Sequence, residues 1–175
     1  MTDDSIERRV GALLRERGNT IALAESCTGG LIGARLTAVS GASEYVDRGF
    51  VTYSYDSKRE LLGVSREALD ERGAVSEPVA LEMARGARDV ADATWGLSVT
   101  GVAGPSGGTE ETPVGTVFVG IAYAAPWGSG ESYATATRHE FDGDRTAIRE
   151  QTVTRALSSL QSELRSVGRD DTSGE

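Results

Sequence analysis

The chain has 175 residues, enough for one domain to bury a core without covalent staples. Its formal net charge of −9 opposes sequence-independent binding to nucleic acid or to anionic membranes. A single cysteine, Cys27, rules out an intrachain disulfide framework, and with a single histidine, His139, it cannot furnish an ordinary zinc site.

The start is polar and does not read as a signal peptide. Ile6, Val10, Leu13 and Leu14 recur at helical spacing, which predicts a helix over about residues 5–17, ended by Gly18-Asn19. Residues 20–24 read as a short buried strand. Glu25-Ser26-Cys27-Thr28-Gly29-Gly30 then leads into a helix carrying Leu31, Ile32, Ala34, Arg35 and Leu36. A second strand is expected over about 45–54, followed by short helices near 56–62 and 65–72, the latter introduced by Ser65. Ser76-Glu77-Pro78 combines a capping hydroxyl, an acid for the first turn and a proline where no donor is needed. The helix it starts should turn Val79, Met83, Ala84, Ala87, Val90 and Ala91 toward the core. A third strand, 95–100, runs into a glycine-rich loop over 101–115. Strand-like runs at 116–124 and 131–141, joined by 125–130, predict an antiparallel hairpin. The last helix starts near Asp144 and buries Val153, Ala156, Leu157, Leu160 and Leu164. One domain is expected over 1–167, with 168–175 a solvated tail. This order predicts an α/β fold in which helices cover both faces of a mixed sheet. No apolar run is long enough to span a bilayer, so a soluble cytoplasmic protein is expected. Acidic excess with arginine in place of lysine further suggests a cytoplasm at high salt.

Lys58 is the only lysine among the 18 lysines and arginines. Arginine stays protonated at any workable pH, whereas a buried lysine can shift toward neutrality and act as a base. The competing reading is a surface lysine left by compositional drift. Ser26-Cys27-Thr28-Gly29-Gly30 joins a strand to a helix start, where free amides suit a phosphate or an oxyanion. Plain capping by Ser26 or Thr28 would explain the same residues. The glycine-rich loop lies past the end of a buried strand, the edge at which α/β proteins bind ligands, although it matches neither a P-loop nor a dinucleotide fingerprint. Binding positions are therefore expected at Thr28, Gly29, Gly30, Thr100, Gly101, Ala103 and Gly104. Ser43, in the turn before the second strand, and Tyr53, at its end, supply hydroxyls that the sheet could bring to Lys58 for a Ser-Lys dyad. Cys27 lacks a base near it in sequence and ranks below the serines. His139 sits in an alternating strand and reads as a surface residue. Arg145 can clamp a phosphate, and Asp144 reads as a helix cap.

Taken together these segments resemble the C-terminal domain of the CinA (competence/damage-inducible) family, the nicotinamide mononucleotide deamidases. The likeness rests on Ala24-Glu25-Ser26-Cys27-Thr28-Gly29-Gly30, on Arg48-Gly49-Phe50-Val51-Thr52-Tyr53-Ser54 with Lys58, and on Gly73-Ala74-Val75-Ser76-Glu77-Pro78-Val79. It continues through Gly101-Val102-Ala103-Gly104-Pro105-Ser106-Gly107-Gly108, Pro113-Val114-Gly115-Thr116-Val117 and Phe141-Asp142-Gly143-Asp144-Arg145. The resemblance implies a three-layer α/β/α sandwich that hydrolyses the carboxamide of nicotinamide mononucleotide to nicotinate mononucleotide and ammonia. It implies a hydroxyl nucleophile assisted by lysine and no metal or organic cofactor. The family's larger nucleotide-hydrolysing domain is not in this sequence, so pyrophosphatase activity is not expected. On this reading Ser43 attacks, Lys58 moves the proton, Tyr53 orients it, and amides around Ser26 to Gly30 hold the oxyanion. Ser26 stands as the alternative nucleophile, and Arg145 meets the 5′-phosphate. The expected partners are the small-molecule substrate and further copies of the chain, with no nucleic acid and no membrane. The readings of a different class are a mononucleotide-binding module without chemistry and a structural partner of recombination proteins.

Overall fold

The computed structural model describes residues 4–170. Helix α1 (Ile6–Glu16) leads into strand β1 (Ile21–Glu25) and the short helix α2 (Leu31–Thr37). A 3₁₀ turn (Ala42–Glu44) precedes β2 (Val46–Val51), and α3 (Tyr55–Leu62), α4 (Arg66–Arg72) and α5 (Glu77–Ala91) follow. The chain then forms β3 (Trp95–Gly101), β4 (Thr116–Tyr123), β5 (Tyr133–Glu140) and α6 (Arg145–Asp170). The last helix thus continues through 168–170, and residues 171–175 of the expected tail lie outside the described residues.

The five strands lie in the order β2-β1-β3-β4-β5. β1 runs parallel to both β2 and β3, while β3-β4 and β4-β5 are antiparallel, so the sheet is mixed and ends in the expected hairpin. All five residues of β1 are buried, and they divide by alternation. Ile21 and Leu23 join a cluster with Val10 and Leu14 of α1, Ile32 and Leu36 of α2, and Val153 and Leu157 of α6. Ala22 and Ala24 join the other, with Leu62 of α3, Leu69 of α4, and Val79, Met83 and Ala87 of α5. That split is what a strand covered on both faces requires, and it makes the fold a three-layer α/β/α sandwich.

The inner residues of α5 sit almost on the sheet because the strands beneath carry glycine. A Cβ at Gly96 would come within 2.1 Å of Ala84 O, and one at Gly120 within 2.4 Å of Ala80 O. Two local expectations fail here. Val90 is 53% exposed, because the buried stripe of α5 runs through 79, 80, 83, 84, 87 and 91 and leaves position 90 to one side. Ser76 stands at the N-cap without capping; its hydroxyl donates instead to Gly73 O at 2.8 Å and closes the preceding turn. Among the described residues no helix is long and apolar enough to cross a membrane.

Candidate active site

β1, β2 and β3 are parallel, so the segments that leave their carboxyl ends emerge on one edge of the sheet. There a cavity of about 260 Å³ opens. The turn after β1 supplies Ser26 and Cys27, the segment after β2 supplies Tyr53 and Lys58, and the β3 end with its loop supplies Thr100, Gly101, Val102, Ala103, Gly104, Ser106 and Gly107. Ala74, Val75 and Arg145 complete the wall.

Lys58 is held by the start of α3. Ser54 and Ser57 form a reciprocal capping box, which fixes the first turn and aims the next side chain inward. The lysine is 0% exposed. Its Nζ donates to Ser26 Oγ at 2.9 Å and to Thr52 O at 2.6 Å. Burial pushes its pKa down from the usual lysine range to about 8, with nearby Cys27 opposing. Neither Arg48 nor Arg59 contributes: each is paired with a carboxylate of its own, Asp47 and Asp56 respectively. Cys27, beside Ser26, is driven the other way, its thiol pushed up to about 11 chiefly by burial. A thiol of that kind is a poor nucleophile at neutral pH.

The turn that carries Ser26 is fixed from two sides. Glu25 is buried at the end of β1, and its carboxylate accepts from Thr28 Oγ1 at 2.6 Å, Ile32 N at 2.9 Å and Gly33 N at 3.0 Å. The amides of Ile32 and Gly33 are therefore taken by Glu25 and that of Leu31 by Thr28 O, so the start of α2 is not capped by the Ser26 or Thr28 side chain and is not open to a ligand. From the opposite side Arg149 of α6 donates to Cys27 O at 3.2 Å and Thr28 O at 2.9 Å. The amide of Thr28 meets no acceptor among the described residues, and that of Cys27 faces only its own Sγ.

The remaining expected positions divide in two. Arg145 donates to Gly104 O at 2.7 Å and to Tyr53 Oη at 3.1 Å, tying the glycine loop to the segment after β2. Thr100 Oγ1 donates to Ala74 O at 2.8 Å and holds the facing wall. Thr28, Gly29 and Gly30 do not line the cavity. Thr28 is wholly buried, and Gly29 and Gly30 take φ of +59° and +102°, so they shape the turn. Ser43 is not brought to Lys58 within the chain. It lies in the 3₁₀ turn that feeds the amino end of β2, exposed beside a separate recess with Ser40 and Asp47. Val46 pairs with Ile21 and Val51 with Glu25, so the length of β2, on the order of 16 Å, separates Ser43 from the cavity. His139 is half-buried on β5, stacked on Phe141 and outside the cavity. Asp144 Oδ1 accepts from Ala147 N at 2.8 Å, the expected cap of α6. Among the described residues no group of three or more His, Cys, Asp or Glu side chains is placed to hold a metal ion.

Residues 3–164 match the family model of the CinA C-terminal domain. The chain belongs to the CinA family. It is 46% identical over 164 residues to the nicotinamide-nucleotide amidohydrolase PncC of Escherichia coli K12, covering 91% of this chain and 95% of that protein. A CinA-like protein of Geobacter sulfurreducens is 48% identical over 162 residues, which are 93% of this chain but 38% of the longer protein. Among solved structures, the competence/damage inducible protein CihA of Agrobacterium tumefaciens superposes with a TM-score of 0.84 at 42% identity, over 91% of this chain and 93% of that one. A CinA superfamily protein of Klebsiella pneumoniae 700603 gives a TM-score of 0.83 at 36% identity, over 91% and 96%.

Three contributors to this CinA site lay outside the sequence expectation: Glu25 as the cap of α2, Thr52 O as an acceptor from Lys58, and Arg149. Glu25 was visible as part of the motif around Ser26. Arg149 carried a fainter signal, its spacing of four residues from Arg145, which places both on one helix face.

Proposed function

We propose that the protein is an amidohydrolase that converts nicotinamide mononucleotide to nicotinate mononucleotide and ammonia, with Ser26 as nucleophile and Lys58 as its base. The observation that carries the chemistry is the 2.9 Å contact between Lys58 Nζ and Ser26 Oγ, made by a lysine that burial brings to a pKa of about 8. The near end-to-end likeness to a nicotinamide-nucleotide amidohydrolase supports the choice of substrate.

In the first step neutral Lys58 accepts the Ser26 hydroxyl proton as Oγ attacks the carboxamide carbon. The carbonyl oxygen becomes an oxyanion, for which the amides of Cys27 and Thr28 are candidate donors. Protonated Lys58 then delivers its proton to the amide nitrogen, the C–N bond breaks, and ammonia leaves an ester on Ser26. Water attacks that ester and gives a proton to Lys58, which returns it to Ser26 Oγ as the C–O bond breaks, and the released acid loses its remaining proton to the ammonia to become the carboxylate. A cavity of about 260 Å³ suits the pyridine ring and its carboxamide. The ribose and phosphate then extend to the mouth, where Tyr53 is 62% exposed and Arg145 offers a guanidinium.

The test is incubation with nicotinamide mononucleotide, at low and at multimolar salt, with ammonia and nicotinate mononucleotide measured together. Equimolar release of both products is expected. No turnover by folded protein at any salt concentration overturns the proposal.

A further inference from the structure

Arg145 and Arg149 are four residues apart at the start of α6 and so project from one face about one turn from each other. They grip different walls of the cavity: Arg145 holds Gly104 O and Tyr53, and Arg149 holds Cys27 O and Thr28 O. Arg149 itself does not line the cavity. Its two bonds go to consecutive carbonyls immediately after Ser26. In a trans peptide the C=O and the following N–H point in opposite directions. Fixing Cys27 C=O therefore fixes Thr28 N–H, and fixing Thr28 C=O fixes Gly29 N–H, which donates back to Ser26 O at 3.1 Å. With Glu25 holding the same turn from the α2 side, the backbone of residues 26–29 has little freedom left.

We infer that Arg149 is a positioning residue for Ser26, acting through the Cys27 and Thr28 carbonyls to keep Ser26 Oγ in line with Lys58 and the neighbouring amides in place for the oxyanion. The inference rests on the reading of Ser26 as nucleophile. The lysine is anchored independently, through Thr52 O and α3, so loss of Arg149 leaves the base in place while the hydroxyl drifts. Small displacements of a reacting group are enough to lower turnover by about 10- to 100-fold.

The experiment compares Arg149→Ala, Arg149→Gln and Arg149→Lys with Ser26→Ala in steady-state kinetics on nicotinamide mononucleotide. The concentration of folded enzyme is fixed by thermal melts and circular dichroism. Arg149→Ala should lower kcat about 10- to 100-fold per folded molecule with KM changed no more than about threefold. Lysine and glutamine, each able to reach one carbonyl, should recover part of that loss. Unchanged kcat per folded molecule in all three variants, or a rise in KM at constant kcat, overturns the positioning role. Should the alanine variant not fold, the other two decide by the same criterion. Activity surviving in Ser26→Ala would remove the nucleophile assignment and the inference with it. Inactive Ser26→Ala beside wild-type kcat in the Arg149 variants would remove the inference alone.

Discussion

Lys58 Nζ lies 2.9 Å from Ser26 Oγ, although the two side chains come from different segments after different strands, 32 residues apart. Nothing charged is needed to free the lysine of its proton: burial disfavours the ammonium and brings the pKa to about 8. A group that must be neutral to act gains activity as pH rises through its pKa. The expected kcat/KM therefore climbs with one ionisation near 8 and levels above it, measured at constant ionic strength. Lys58→Arg keeps the charge but cannot titrate, and should lose about 10² to 10⁴ in kcat/KM while still binding the nucleotide. A wild-type profile flat from about pH 6 to 10, with the chemical step rate-limiting, would remove the lysine base.

Ser26 and Ser43 make a decisive pair because only one of them reaches Lys58 within the chain. Ser26→Ala is expected to remove nearly all turnover while leaving nucleotide binding measurable by calorimetry. Ser43→Ala, at the other end of β2, is expected to keep kcat within about twofold, the usual reach of an exposed substitution. The reverse pattern would show that the nucleophile is not the hydroxyl that Lys58 touches in this structure.

The fold was legible because hydrophobic period and turn chemistry agree along the chain, from the Ile6-Val10-Leu14 stripe of α1 to the hairpin signalled by Ala125-Pro126-Trp127-Gly128. Lys58 was legible by its solitude among arginines. What the sequence could not give was which end of a strand each hydroxyl occupies relative to the base. Ser43 and Tyr53 flank the same strand, and only the parallel register of β1 with β2 puts one at the cavity and the other opposite. Glu25 was missed for a related reason. Acidic residues are ordinarily solvated, and its burial follows from three donors converging on it in space, one of them from its own turn and two from α2.

Arg145 faces the mouth of the cavity through Tyr53 Oη and Gly104 O, both of which it can release or share when an anion arrives. Arg145→Ala should raise KM for nicotinamide mononucleotide by about tenfold or more, the range for losing one charge-assisted contact, with a smaller effect on the dephosphorylated riboside. Tyr53→Phe, which removes the hydroxyl but leaves the guanidinium, should affect the two substrates alike. Equal losses on both substrates in Arg145→Ala would mean that the arginine holds the glycine loop and not the phosphate.

The lysine that serves the chemistry should also weaken the fold, in a way that pH reveals. In the unfolded chain Lys58 titrates near the usual 10.5, in the folded chain near 8. Below 8 both states carry the proton and the folded state bears the full penalty of a buried ammonium. Between 8 and 10.5 the unfolded state holds more protons, so stability rises with pH, and above 10.5 the penalty is gone. At about 1.4 kcal/mol per pH unit the penalty at neutral pH is on the order of 3 kcal/mol. Replacing the lysine by methionine would also forgo the donors to Thr52 O and Ser26 Oγ, which costs about 1–2 kcal/mol against that gain. Lys58→Met, similar in length and apolar, should therefore be inactive yet melt a few degrees above the wild type at pH 7, since about 1–2 kcal/mol shifts Tm by that much at this size. The gap should narrow from pH 8 to 10.5 when both proteins also carry Cys27→Ser, which removes the thiol whose titration is coupled to Lys58. A gap that does not change from pH 8 to 10.5 would show that burial does not shift the lysine, and a gap that widens as pH rises would place the protonated lysine among the groups that stabilise the fold.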